Sequence, residues 1–257
     1  MANWAMATAK TSRKPPSRKD ATNLSGMSSP MAVAPLRELP IADLIARKLQ
    51  EDIVLGRRHP RERLVEQDLC TDFDTHRGDV RLALFELEKM GIVERIPNRG
   101  AIVRDLKPLE VQGIYDVREE LEVMAVRILP FPVTDAEIAS LEAIQHAHGK
   151  AVDAGDLLAV FHRNVQFHRA LFGLCGNTCL IETIESLAQK VSGIRSYAYA
   201  RPEALNDARR DHIAMIKALR NSRRDDLINL TRRHLKPAVR AYVDAYRQRF
   251  GRSASEI

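Results

Sequence analysis

The chain has 257 residues, 45% of them apolar but only 5% aromatic, and a formal net charge of +6. That length suits two domains better than one core, and a core of Leu, Ile, Val and Ala favours helices over strands. Three cysteines without framework spacing argue against a disulfide scaffold. No run reaches the roughly 18 apolar residues of a membrane span, and residues 1–20 lack the apolar stretch of a secretory signal, so a reduced, cytoplasmic protein without membrane contact is expected.

Residues 1–35 carry Lys10, Arg13, Lys14, Arg18 and Lys19 against Asp20 alone, among Ala, Ser and Pro. Without a sustained period they read as a disordered basic tail. It is either an arm that adds non-specific DNA affinity or an uninvolved extension. From 36 to 105 acids and bases roughly balance, so net charge does not single that segment out for a nucleic-acid partner.

Ile41, Leu44, Ile45, Leu49 and Ile53 form a helical stripe over 39–55, stopped by Gly56. Residues 57–63, with Pro60, read as a loop. Val65, Leu69 and Phe73 predict a short helix, and Asp74-Thr75-His76 a polar turn. Val80, Leu84, Leu87 and Met90 predict a longer helix, ended by Gly91. Two β-prone runs, 92–96 and 101–103, flank the turn-forming Pro97-Asn98-Arg99-Gly100. Three helices followed by a hairpin predict a winged helix-turn-helix over 36–105. Beyond Pro108 the pattern is helical throughout, at about 108–129, 134–153, 156–174, 178–199, 203–220 and 225–250. The expected fold is therefore mainly α: a winged helix-turn-helix, then an all-α bundle over 106–250, then a short tail at 251–257.

The second helix of such a motif reads the major groove near its N-terminus. Here that segment is His76-Arg77-Gly78-Asp79-Val80-Arg81. Arg77 and Arg81, four apart, share one face, and an arginine grips guanine O6 and N7 through two hydrogen bonds. Gln67 is placed for a phosphate or an adenine edge, and Arg99 with Gly100 forms the wing tip, in reach of a phosphate or the minor groove. Asp79 suits the helix dipole but not a nearby phosphate; its carboxylate can accept from cytosine N4 or hold an arginine. Against this stands the bland alternative that the two arginines are merely solvated.

The order of these features is similar to the winged-helix domain of the GntR superfamily. The resemblance runs through Ile53-x-x-Gly56, Glu62-Arg63-Leu64-Val65-Glu66-x-x-Leu69, Arg77-x-x-Val80-Arg81-x-Ala83-Leu84-x-x-Leu87-Glu88-x-x-Gly91-Ile92-Val93 and Pro97-Asn98-Arg99-Gly100-Ala101-x-Val103. The family usually reads Ser-Arg-Thr-Pro-Val-Arg at the head of the recognition helix, so His76, Gly78 and Asp79 depart from it.

In the helical half, Asn164 and His168 lie four apart on one helix, and His212 and His234 on two others. Imidazoles converging from three helices make a transition-metal site; separately, they are ordinary part-buried histidines. This half resembles the FCD effector domain of the FadR-like branch, through Val117-Arg118-x-x-Leu121-Glu122, Asn164-x-x-Phe167-His168-x-x-Leu171, Gly176-Asn177-x-x-Leu180, Asp211-His212 and Arg233-His234-Leu235. The resemblance implies a divalent transition metal of zinc, nickel or manganese type on Asn164, His168, His212 and His234, with Asn164 where the family commonly has Asp. It also implies a small carboxylate effector held by Arg118, with Arg195 and Tyr199 as further lining, and an effector-responsive homodimeric repressor on a double-stranded operator. Arg118 has a competing role in a helical pair with Glu122. Two other functions fit less of the pattern: a metal-dependent hydrolase using the histidines, and a degenerate DNA-binding protein acting through partners.

Overall fold

The computed structural model describes residues 40–97 and 99–251. The basic tail expected at 1–35, and residues 36–39, 98 and 252–257, lie outside the described residues.

Helix α1 spans Ile41–Val54 and buries Ile45, Leu49 and Ile53 along one stripe. The chain then turns through Gly56 at φ 71°. Helices α2 (Glu66–Asp72) and α3 (Arg77–Lys89) follow, and α3 buries Val80, Ala83, Leu84 and Leu87 against α1. The wing is β2 (Val93–Ile96) antiparallel to β3 (Gly100–Val103).

The segment expected to be loop to residue 63 ends instead in a strand, β1 (Arg63–Leu64), which pairs antiparallel with β3 in the order β1-β3-β2. Two residues carry no readable period, but pairing Leu64 with Ala101 buries Leu64 completely. Gly100 makes that pairing sterically possible. Its φ is 96°, and a Cβ there would lie 2.0 Å from the Leu64 carbonyl oxygen.

The helical half comprises α4 (Pro108–Ile128), α5 (Asp135–Asp153), α6 (Leu157–Gly173), α7 (Thr178–Lys190), α8 (Arg195–Tyr199), α9 (Pro202–Arg220) and α10 (Arg224–Phe250). Side-chain caps mark three of the starts. Thr134 and Glu137 close a capping box on α5. Asp156 accepts from Ala159 N at 3.0 Å, and Asn177 from Leu180 N at 3.1 Å; each satisfies an orphan amide of the first turn. Phe167, Leu171, Met215, Leu219 and Leu227 lie in the central core.

The single helix expected over 178–199 is broken. It ends at Lys190, passes through a 3₁₀ turn at Ser192–Ile194 and restarts as α8. The Ser192-Gly193 pair weakens the helix locally, and tertiary contact fixes the break there. Val191 and Ile194 are buried beneath α4 and α10, and Gly193 passes so close to α1 that a Cβ would lie 3.3 Å from Ile53 Cγ2. A second link joins the two halves at His162 Nε2, 2.9 Å from Glu51 Oε1 of α1. Among the described residues no helix is long and apolar enough to cross a membrane.

Candidate DNA-reading end and imidazole centre

At the head of α3 the expected reading residues come together on an exposed surface. Arg77 Nη2 donates to Gln67 Oε1 at 2.9 Å. Arg81 Nε donates to both Glu66 oxygens, at 3.2 and 3.0 Å. The acid that holds an arginine is therefore Glu66 of α2, not Asp79. Asp79 is half-buried and accepts from Thr75 Oγ1 at 2.9 Å, tying the polar turn to the first turn of α3. His76 is the extended N-cap residue and makes no side-chain cap hydrogen bond. Surface ion pairs such as Arg81–Glu66 contribute only about 0–1 kcal/mol, so either arginine can exchange its partner for a base edge or phosphate at little cost. Arg99 is exposed in the β2–β3 turn, with its backbone N–H on Ile96 O at 3.0 Å.

In the helical half, the histidines of α6, α9 and α10 converge. One ring nitrogen from each of His168, His212 and His234 lies within 4.8 Å of the other two. His168 Nε2 and His234 Nε2 are 3.1 Å apart. His212 is fully buried, stacked on Phe167 at 4.0 Å between ring centroids. Its Nδ1 lies 2.8 Å from Gln145 Oε1. An amide oxygen only accepts, so Nδ1 carries the proton and Nε2 carries a lone pair. That Nε2 is buried without a partner. Burial pushes the pKa values of His168 and His212 well below the ordinary histidine range, which keeps both rings neutral and able to ligate. His234 Nδ1 lies 3.4 Å from Asp211 Oδ2. Burial opposes the Asp211 charge, but hydrogen bonds from His234 and Arg233 outweigh it and hold the carboxyl below its usual range.

An orphaned, correctly oriented Nε2 beside two further imidazoles fits a divalent transition metal. Zinc and nickel favour imidazole, whereas manganese favours oxygen ligands. Gln145 and Asp211, which contact the outer nitrogens of His212 and His234, would be the partners that fix ring orientation at such a centre. Asn164 is buried and shares a cavity of about 90 Å³ with His168 and His234. Arg118, Arg195 and Tyr199 line the same cavity. The Arg118–Glu122 pair also forms, at 3.1 and 2.9 Å to Glu122 Oε1. Burial works against the Arg118 charge, but Glu122 and Tyr115 outweigh it and raise its pKa. The two expectations for Arg118 are thus compatible: it is paired and still faces the cavity. The Tyr199 hydroxyl is buried without a hydrogen-bond partner, and that burial pushes its pKa up.

Two families cover most of this architecture. Residues 41–103 match the family described as bacterial regulatory proteins, gntR family, and residues 113–237 match the FCD domain. The chain belongs to the GntR family and carries an FCD domain. It is a transcription regulator. The HTH-type transcriptional repressor RspR of Escherichia coli (strain K12) is 24% identical over 197 residues, 77% of this chain and 86% of that protein. The Nta operon transcriptional regulator of Aminobacter aminovorans is 30% identical over 134 residues, 51% of this chain and 62% of that protein. Among solved structures, E. coli McbR/YncC superposes with a TM-score of 0.71 at 20% identity, covering 81% of this chain and 99% of that one, a likeness of fold.

Within this GntR regulator, sequence reasoning missed Glu66, Gln145, His148 and Asp211. His148 is buried, its Nδ1 has no partner, and its ring centroid lies 5.1 Å from that of His212. Burial, reinforced by His234 and Arg209, pushes its pKa down to about 4. The signal for α5 was available. Its buried stripe reads Ile138, Leu141, Gln145, His148, and a helical stripe that turns from apolar to polar midway marks groups that need buried partners.

Proposed function

We propose that this GntR regulator is a cytoplasmic, homodimeric repressor. Residues 36–105 would read a near-palindromic operator, and 106–250 would dimerise and bind a small carboxylate at a divalent-metal centre. The observation that carries the reading is the buried His212 Nε2, unpartnered and oriented by Gln145, facing His168 and His234. Asn164 would add an amide oxygen, a weaker ligand than a carboxylate. The metal, when bound, supplies a Lewis-acid site for a carboxylate oxygen, beside Arg118, Arg195 and Tyr199 in the same cavity.

For DNA, the reading rests on exposed Arg77 and Arg81 with Gln67 at the head of α3, and on Arg99 at the wing. His76 and Asp79 shape the same end. Dimerisation is supported by an apolar stripe on the outer side of α4. Val117, Met124 and Ile128 are exposed at helical spacing, with Leu121 half-buried between them; such a stripe is covered in a stable assembly. A hydrolytic role has less support. Asp211, the carboxylate in the cavity wall, is engaged by both His234 and Arg233, and the relatives are named as regulators.

The test is native mass spectrometry with elemental analysis of the purified chain, followed by operator titration with and without chelator. One transition metal per subunit in a dimer, with operator affinity that responds to its removal or to added carboxylates, is the expected result. A metal-free monomer whose DNA affinity ignores both would overturn the reading.

A further inference from the structure

The outward side of α3 carries more than its arginines. At about 100° per residue, Gly78, Leu82 and Phe85 fall within about 60° of one another. They stand opposite the buried stripe of Val80, Ala83, Leu84 and Leu87. Leu82 is 50% exposed and Phe85 42%. Gly78 is exposed too, and a Cβ there would meet nothing within 4 Å. It lies in the first turn of the helix, where glycine is a weaker helix former than alanine. Packing within the chain therefore requires neither the glycine nor the leucine.

Phe85 has partners inside the chain. Lys89 Nζ lies 5.6 Å from its ring centroid, and the Arg95 guanidinium of β2 lies 5.8 Å from it, both within cation–π range. Leu82 is left as the free apolar side chain of an arc that also holds Arg81 and Lys89. Those cations rest on Glu66 and Glu86, and Arg95 stands 3.7 Å from Glu88. All three are surface pairs that a phosphate can replace. An exposed leucine among exchangeable cations matches the major groove of duplex DNA, where thymine methyl groups lie between two phosphate strands.

We infer that Leu82 is a base-reading residue, and that the gap left by Gly78 one turn earlier receives the C5-methyl group of a thymine against it. The inference rests on the reading of the head of α3 as the DNA-reading end and adds a second kind of contact, apolar instead of charged, with the base it selects. Helical Cα–Cβ bonds tilt toward the N-terminus, so Leu82 leans over the turn that begins at Gly78, about 6 Å along the axis. The absent Cβ of Gly78 leaves room there for a methyl group. Thymine alone among the four bases carries one in the major groove. Cytosine would set its N4 amino group against Leu82, which has no acceptor for it. 5-Methylcytosine shares the methyl group but keeps that amino group, which ranks it behind thymine.

Selection from a randomised duplex library with the full chain defines the parent's site. Anisotropy titration at fixed salt then compares that duplex with versions in which each thymine is replaced in turn by uracil, 5-methylcytosine or cytosine, the last two opposite guanine. The parent, L82A and G78A are titrated, and thermal midpoint and native mass check folding and assembly. At one thymine position the parent is expected to lose about fourfold in affinity on replacement by uracil, the equivalent of one buried methyl group. At that position thymine ranks ahead of 5-methylcytosine, and 5-methylcytosine ahead of cytosine. L82A binds the thymine and uracil duplexes equally. G78A has a higher thermal midpoint, yet loses more affinity for the thymine duplex than for the uracil duplex. A parent indifferent to every uracil replacement, or a uracil penalty that survives L82A, would overturn methyl reading while leaving DNA binding in place. A change of assembly state in L82A would make this face a protein contact and overturn it equally. A parent that selects no sequence would overturn the DNA-reading assignment as well.

Discussion

The head of α3 and the imidazole centre each carry a small set of polar side chains, but they are held in opposite ways. At the head of α3, Arg77 and Arg81 are exposed and rest on Gln67 and Glu66 through contacts that solvent or a ligand can replace. At the imidazole centre, His212 has lost all contact with water and depends on Gln145 for its one hydrogen bond. Removing a buried partner leaves a group that nothing else can satisfy, whereas removing an exposed one leaves a group that water satisfies. The DNA-reading end should therefore tolerate change one residue at a time, and the centre should fail as a unit.

The largest effect is expected where the comparison is sharpest. His212→Ala removes the oriented Nε2 and should lower metal affinity by more than about a hundredfold, since even outer partners at such centres contribute 10–100-fold. Competition with a chromophoric chelator measures this, and an unchanged zinc affinity would show that the imidazoles do not form one site. Gln145→Leu comes next. It leaves His212 in place but frees its ring to take the wrong tautomer, so zinc affinity should fall by roughly 10–100-fold. Gln145→Glu keeps an acceptor for Nδ1 and should restore most of the affinity. Equal losses in both variants would reduce Gln145 to a packing residue.

The same contrast explains what was legible in the sequence. Exposed function follows local rules: a polar turn, a helix start and two arginines four apart place Arg77, Arg81 and Gln67 together before any fold is known. The three histidines were also nameable, because each sits in a quotable motif. Their supporting partners were not, because Gln145 and His212 are 67 residues apart and meet only through the packing of α5 on α9. The break at Ser192–Ile194 and the strand Arg63–Leu64 have the same origin. The strand has no readable period and the Ser192-Gly193 pair is only a weak local signal; each segment is set by a close approach from elsewhere, Ile53 in one case and Gly100 in the other.

At the DNA-reading end the expected effects are smaller and separable. Arg81→Ala should cost about 1–3 kcal/mol at the base it contacts and relax preference there, with little change at other positions. Glu66→Ala should change operator affinity by less than Arg81→Ala, because Glu66 is an exchangeable partner and not a reader. Binding to an operator library, measured for both variants, decides the point. A Glu66→Ala loss equal to that of Arg81→Ala would mean that the pair acts as a preorganised unit, and the contrast with the buried centre would collapse.

The smallest effect concerns Asp79 and should have opposite signs in stability and in binding. Its carboxylate accepts from Thr75 and lies in the first turn of α3, where a negative charge is favoured by the helix dipole by about 0.3–1 kcal/mol. The same charge stands beside the surface proposed to meet phosphates, where it would repel DNA in a salt-dependent way. Asp79→Ala should therefore lower the thermal stability slightly and raise operator affinity a few-fold at low salt. Asp79→Asn separates the two contributions, since an amide oxygen still accepts from Thr75 Oγ1 while the charge is gone. Its affinity should rise as in Asp79→Ala, with less loss of stability. If both variants bind DNA more weakly than the parent, Asp79 accepts from a base edge, and even the exposed end contains one group that works only when its partner is present.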